Sequence, residues 1–418
     1  MITNHVPEKA VPIPPEWMVD ISNFKSTIRT KEFQRLRWIS QLGILKLVYP
    51  GATHSRIEHS FGTLHLTTAI CKQLGLKEDE AKTFRAYGLL HDIGHLPFSH
   101  QLEPLLSQNH EQNGLAILSS MQEAIEKDGI DYEKLVEIFK KKHPIVSDKN
   151  LGPDKLDYLL RDGLHMGFDP IPHVFTLIQY MGLNGETLAI EEKGTPSAKR
   201  LQDYYADIHM EGYLCKQGMI SQRMLQRSLE EALSETGKIE QYSFWTMMDD
   251  DVLQILKDSK NKLAKNLIDA LIYRGVYKTA VVFKIDKFKH SERIIDKPIH
   301  VEGVTQDKLE TFTEVYSSPQ KLRKLENEVA KEVGVKEGTL LIPLIPLKRM
   351  LPKDVRVYNR VSSEPNTLFK LYPEHEKQLM ERYLSSFAIR IATTPEQRKE
   401  VYEKRREIVG YIVSSVLK

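Results

Sequence analysis

Apolar residues recur at three- and four-residue steps through most of the first 275 positions, the spacing of helices laid on a core. The pattern predicts helix from Ser22 to Leu47, with the apolar positions Phe33, Leu36, Trp38, Ile39 and Leu42 recurring at helical steps, until Tyr49-Pro50-Gly51 breaks it. A second helix is predicted from Arg56 to Leu74, with Ile57, Phe61, Leu64 and Ile70 as core positions. A third, Lys82 to His91, ends in the apolar run Ala86 to Leu90, which carries the following His91-Asp92 pair inward. Gly94 and Pro97 interrupt it. A short helical turn is predicted at Gln101–Leu106, and helices from Asn109 to Phe139, split near Gly129. Asp154–Leu164 presents Leu156, Leu159 and Leu160 on one face, and further helix is predicted at Lys199–Glu235 and 249–274.

The pattern changes near Val276. Thr279–Ile285, Thr339–Pro346 and Val355–Tyr358 are rich in β-branched residues and read as strands with helices between. The expected fold is mainly α with a smaller C-terminal α+β lobe. Residues 1–20, carrying Pro7, Pro12, Pro14 and Pro15, are expected to form an extended arm that frays or lies on a partner subunit. A helical catalytic domain is expected over 21–275 and the α+β lobe over 276–418.

Composition narrows the classes of function. The formal net charge of +2 gives no global basic field, so nucleic acid is not an expected partner. No apolar run has the length of a membrane span, and the N-terminus lacks the regions of a signal peptide. The cytoplasm is therefore the expected compartment. Cys71 and Cys215 are too few for a disulfide framework and read as reduced core thiols.

The chemistry concentrates between Arg56 and His110, where six histidines and several acids fall. His91 and Asp92 follow an apolar helix end, and burying charge is costly unless it is paired or metal-bound. His59 and Asp154 each lie on a helix with its own apolar stripe. His59, His91, Asp92 and Asp154 would make a mixed nitrogen and oxygen site for a divalent ion: Fe, Mn, Zn, Ni or Mg. Such an ion acidifies water and polarises a phosphoryl oxygen. His91 and His95 share a helix face if the helix runs on. Arg56, three residues before His59, could clamp a phosphate oxygen, and Lys155 adjoins Asp154. The competing reading of both cations is solvated surface charge. His100 with Glu103 resembles an imidazole held protonated to serve a leaving alkoxide, and His110 with Glu111 is a second such pair.

The runs FQRLRWISQLG, YPGATHSRIEHSFG, LLHDIGHLPFSH, NHEQ and DKLDYLLRDGLHMG stand in one order between Phe33 and Phe283. They resemble the HD-domain phosphohydrolases, specifically their dNTP triphosphohydrolase branch. The resemblance implies His59, His91, Asp92 and Asp154 as metal ligands. It implies phosphate contacts from Arg56, His95, His110 and Lys155, and a general acid at His100 supported by Glu103. It places Gln41, Leu42, Tyr158, Asp162 and Tyr213 around sugar and base, and implies hydrolysis to deoxynucleoside and triphosphate by a homo-oligomer, dimer or tetramer.

Two places depart from that branch. Tyr205 and Cys215 stand where it offers an arginine and a histidine. Arg29, Gln34 and Arg37 stand where it reads guanine, and for Gln34 and Arg37 plain helix packing is the favoured reading. A nucleotidase or phosphodiesterase acting on another nucleotide is the main alternative, although the Gly-Tyr-Pro signature of the cyclic-dinucleotide branch is absent. A regulatory protein with a relic site is the third.

Overall fold

A computed structural model describes residues 7–106, 109–169, 174–234, 243–292, 298–359, 361 and 366–416. Among the described residues the fold is mainly helical, with three small sheets. Its centre is the Arg56–Gln73 helix, buried on nearly every side. The Glu78–Leu90 and Pro153–Met166 helices pack along it, and Tyr132–Lys141 packs on Glu78–Leu90. Phe33, Leu36, Leu64, Phe84, Leu89 and Ile93 fill the core beneath them.

The N-terminal segment corrects the expectation of an extended arm. Strand β1 (Ala10–Ile13) pairs antiparallel with β2 (Trp17–Asp20), and Pro14, Pro15 and Glu16 form the turn between them. Ile13 and Val19 bury in the helical core, and Trp17 stacks on His65 with ring centroids 4.8 Å apart. The expected Ser22–Leu47 helix is broken into short pieces, with α-helix at Lys25–Ile28 and Lys31–Arg35 and 3-10 turns at Ser22–Phe24, Leu36–Trp38 and Gly43–Leu47; Trp38 lies exposed. The expected Lys199–Glu235 helix is Thr195–Asp207, a π-helical turn at Ile208–Tyr213, and Lys216–Ser234.

The remaining strands are β3 (Met181–Asn184), β4 (Thr187–Glu191), β5 (Lys278–Ile285), β6 (His300–Val304), β7 (Leu340–Leu341), β8 (Arg356–Tyr358), β9 (Asn366–Thr367) and β10 (Ile389–Thr393). One sheet has the order β6-β5-β10-β7 and the other β3-β4-β8-β9. The strand expected over Thr339–Pro346 contracts to β7, because Pro343 and Pro346 cannot donate to a ladder. The pairing of β4 with β8 is parallel, Ile190 opposite Val357. C-terminal residues thus complete a sheet begun at Met181, which sets the loop before β8 beside the helical unit.

Candidate active site

Four side chains from three parts of the chain converge. His59 Nε2 lies 3.2 Å from His91 Nε2, 3.4 Å from Asp92 Oδ2 and 3.3 Å from Asp154 Oδ1. His91 Nε2 is 3.3 Å from Asp92 Oδ1 and 3.4 Å from Asp154 Oδ1. The central helix supplies His59 from its first turn, and Pro153–Met166 supplies Asp154 from its own first turn. The pair His91-Asp92 sits where the third helix stops.

The second nitrogen of each ring settles what the cluster can hold. His59 Nδ1 donates to Asp157 Oδ2 at 2.7 Å, and His91 Nδ1 donates to the Gly88 carbonyl at 2.9 Å. Both Nε2 lone pairs therefore face each other and two carboxylates. Such outer partners fix the tautomer that binds metal. The donor set fits a divalent cation, and His59, His91 and Asp92 have the spacing of one ion's ligands. Burial disfavours charge on His59, but bonds to Asp154 and Asp157 outweigh it and raise the ring to about 10, so a cation bound at this point would take the place of a proton on Nε2. Burial opposes ionisation of Asp92 too, yet His91 and Arg56 keep it well below the usual carboxylate range.

Around this centre lies a cavity of about 580 Å³. It is not the largest depression. One of about 1250 Å³ lies between the Lys216–Ser234 and Pro319–Glu332 helices, without a metal-binding cluster among its described residues. Chemistry, rather than size, selects the smaller one.

Arg56 is buried in the cavity wall. It bonds Asp92 through Nη1 and Ser99 Oγ through Nε at 2.9 Å, so it is committed to holding Asp92 in place. His91 and His95 do not share a helix face, because the helix ends at Leu90 and residues 91–94 turn. His95 instead reaches back to Asp92 Oδ1 at 3.0 Å and stacks on His110 at 4.2 Å. Burial and the Arg56 cation keep His95 well below its ordinary value, so it stays neutral. His110 does not pair with Glu111, which bonds Lys142. One carboxylate serves both outer histidines: Glu103 Oε2 is 3.0 Å from His100 Nδ1, and Oε1 is 2.9 Å from His110 Nδ1. Oε1 also accepts the His110 backbone N–H at 2.9 Å, at the start of the His110–Ser120 helix.

On the far wall Asp162 links two side chains. Its Oδ1 is 2.8 Å from His54 Nε2, and its Oδ2 accepts the Tyr213 hydroxyl at 2.5 Å. Gln41, Leu42 and Tyr158 line the same cavity. Lys155 lies behind it, with Nζ 3.6 Å over the Tyr205 ring, and Tyr205 stacks on His209. Gln34 donates to the Ile28 carbonyl at 2.7 Å and accepts from Arg37, consistent with local packing.

Burial, followed by the Lys353 charge, pulls Lys155 down to about 7. Below that value both folded and unfolded chains carry the proton. Between it and the ordinary lysine range only the unfolded chain does, so stability rises with pH in that window. Wild type is expected to gain stability relative to Lys155→Met as pH rises from about 7 to 10. Urea unfolding of both proteins at several pH values measures the difference, and a flat difference would contradict the burial of this ammonium.

Several residues that build the site were not singled out by sequence reasoning. Asp157 orients His59 and takes Arg161 through both oxygens. Its signal was position: three after Asp154 and four before Arg161, one face of one helix. Arg35 donates to the His95 carbonyl at 2.7 Å, and Asp249 accepts the Phe98 and Ser40 amides at 2.7 and 2.9 Å. Those bonds steady Phe98 and Ser99, both left-handed at φ 56°, a conformation that costs non-glycine residues about 1–2 kcal/mol each.

The HD-domain family matches residues 56–162, and the HD associated region follows at 174–304. The chain carries an HD domain followed by its associated region and is an HD-domain phosphohydrolase. It is 24% identical over 461 residues to the human deoxynucleoside triphosphate triphosphohydrolase SAMHD1, covering 92% of this chain and 70% of that protein. The Dictyostelium discoideum SAMHD1 homolog is 26% identical, covering 66% of this chain and 60% of its own length. A solved phosphohydrolase from Bacteroides thetaiotaomicron superposes with a TM-score of 0.67 at 21% identity, covering 92% of this chain and 99% of the other. That last likeness speaks for the fold. No helix among the described residues is long and apolar enough to cross a membrane.

Proposed function

We propose that the protein is a metal-dependent hydrolase of deoxynucleoside triphosphates, releasing deoxynucleoside and triphosphate. The convergence of His59, His91, Asp92 and Asp154 on one point inside the 580 Å³ cavity carries this reading. A divalent ion held by those four would supply Lewis acidity toward a phosphoryl oxygen and an acidified water. Arg56 keeps Asp92 aimed at that point. His100 and His110, bound to opposite oxygens of Glu103, flank the metal ligands, and His100 is exposed to an incoming substrate. An imidazole held this way delivers a proton to the departing alkoxide. Tyr158, Asp162 and Tyr213 offer ring faces and a carboxylate to sugar and base on the opposite wall. The names of the human and Dictyostelium relatives support the choice of substrate.

Purified full-length protein loaded in turn with Mn, Fe, Zn, Ni and Mg, then incubated with the four dNTPs, should release deoxynucleoside and triphosphate in equal amounts by mass spectrometry. Absence of triphosphate in every arm rules the reading out. A nucleotidase or phosphodiesterase acting on another nucleotide is the second reading. It is favoured by Tyr205, an uncharged ring beside the cavity where the resembling branch has arginine. Orthophosphate or a mononucleotide as sole product selects it.

A further inference from the structure

The cavity does not end at the metal ligands. Its outer wall includes Lys142, Ser147 and Lys149. The same three residues begin a second depression that runs outward over Asn150 to Lys353 and Arg356. The two form one continuous groove from the metal centre to the loop that precedes β8. Lys353 also borders a small pocket with Lys155 and Tyr205, so the C-terminal segment reaches the edge of the catalytic unit.

That loop is pinned. Asn150 Nδ2 donates to the Asp354 carbonyl at 2.6 Å, and Gln202 Nε2 donates to the Lys353 carbonyl at 2.9 Å. Two carboxylates lie in the groove, and each has one oxygen taken by backbone amides. Asp148 Oδ1 accepts from Asn150 and Leu151 at 2.9 and 2.8 Å, and Asp354 Oδ1 accepts from Val355 and Phe369 at 2.8 and 3.0 Å. Lys142 is paired with Glu111. Lys149 and Lys353 form no ion pair with an acid among the described residues, and they face each other. Burial, followed by the Lys149 charge, pushes Lys353 below its ordinary value. Two ammonium groups held together on pinned backbone repel, and an anion bridging them turns that repulsion into attraction.

We propose that Lys149 and Lys353 form a polyphosphate subsite at the cavity mouth, one lysine from the catalytic unit and one from the C-terminal lobe, gripping the end of the phosphate chain farthest from the nucleoside. The proposal rests on the triphosphate reading above and gives the C-terminal segment a share in substrate recognition. Both side chains are exposed, so their replacement leaves the core untouched.

The test uses full-length, metal-loaded protein with inorganic tripolyphosphate and orthophosphate as probes in calorimetry. Lys149→Ala/Lys353→Ala should weaken tripolyphosphate binding about tenfold and leave orthophosphate binding as in wild type. Lys141→Ala removes a nearby cation paired with Glu137 and should leave both affinities unchanged. In turnover of dNTPs the double variant's loss should fall on KM. Equal tripolyphosphate affinity in wild type and double variant overturns the subsite, as does an equal loss from Lys141→Ala, which would reduce the effect to overall field. If wild type cleaves no dNTP while the tenfold difference persists, the subsite stands and the substrate reading falls. If dNTPs are cleaved with unchanged KM in the double variant, the reverse holds.

Discussion

Asp157→Ala is expected to weaken metal binding by about 10–100-fold and to destabilise the fold by about 3–5 kcal/mol. The two losses share one cause. Asp157 is fully buried, and its carboxylate is divided between His59 Nδ1 and both ends of the Arg161 guanidinium. Without it the His59 ring is free to change tautomer and turn its lone pair from the metal point. Arg161, 2% exposed, keeps only Glu58 at 2.7 Å and the Pro14 carbonyl at 3.1 Å. A buried guanidinium stripped of its Asp157 partner and left half-paired is where most of the stability cost lies.

Asp157→Asn separates the terms, since it keeps the shape and loses the charge. Gly62→Ala should produce a related defect by crowding, because an added Cβ would stand 1.8 Å from Asp157 Oδ1 and 2.2 Å from Arg161 Nη2. Acid matters as well. Burial opposes ionisation of Asp157, but Arg161 and His59 prevail and hold it below the usual range. Its stabilisation is present at neutral pH and lost as pH falls through the depressed value, so wild type and variant should converge in acid. Metal titration by calorimetry and urea unfolding read the two losses. An Asp157→Ala protein that binds metal as wild type does would remove Asp157 from the site.

The cluster of His59, His91, Asp92 and Asp154 was legible because residue types suited to a shared cation stand beside apolar helical segments that carry them inward. Asp157 was not, since a buried acid on an inward helix face looks like any polar position until its partners are placed. The pairing of His110 was misread for a related reason. Adjacency in sequence suggested Glu111, but the 3-10 turn at Glu103–Leu105 folds Glu103 back to the start of the next helix. Strands β5 and β8 stood out by β-branched content. The short β3, β6 and β10 lie within sequence dominated by helical patterns; β3 pairs with its chain neighbour β4, whereas β10 takes its partners β5 and β7 from much earlier in the chain. The N-terminal prolines suggested an extended arm, and the hairpin formed because Ile13, Trp17 and Val19 alternate toward the same core.

The C-terminal segment meets the catalytic unit through charge, and here a second large effect is expected. Glu326, 1% exposed, takes Arg223 through Nε and Nη2, both at 2.8 Å, and Arg227 through Nη1 at 3.0 Å. It also accepts the Ile342 amide at 2.9 Å. Both arginines lie on the Lys216–Ser234 helix and both are buried. Glu326→Ala leaves them with Glu230 and Glu231 on their own helix and should cost about 3–5 kcal/mol. If the cost is that of stranded guanidinium charge, adding Arg223→Met should recover part of it, since burying a thioether carries no such penalty. A double-mutant cycle on urea unfolding isolates the coupling. Independent, additive losses would mean that packing alone joins the two segments, and that the ion network is incidental to holding the Lys353 loop at the cavity.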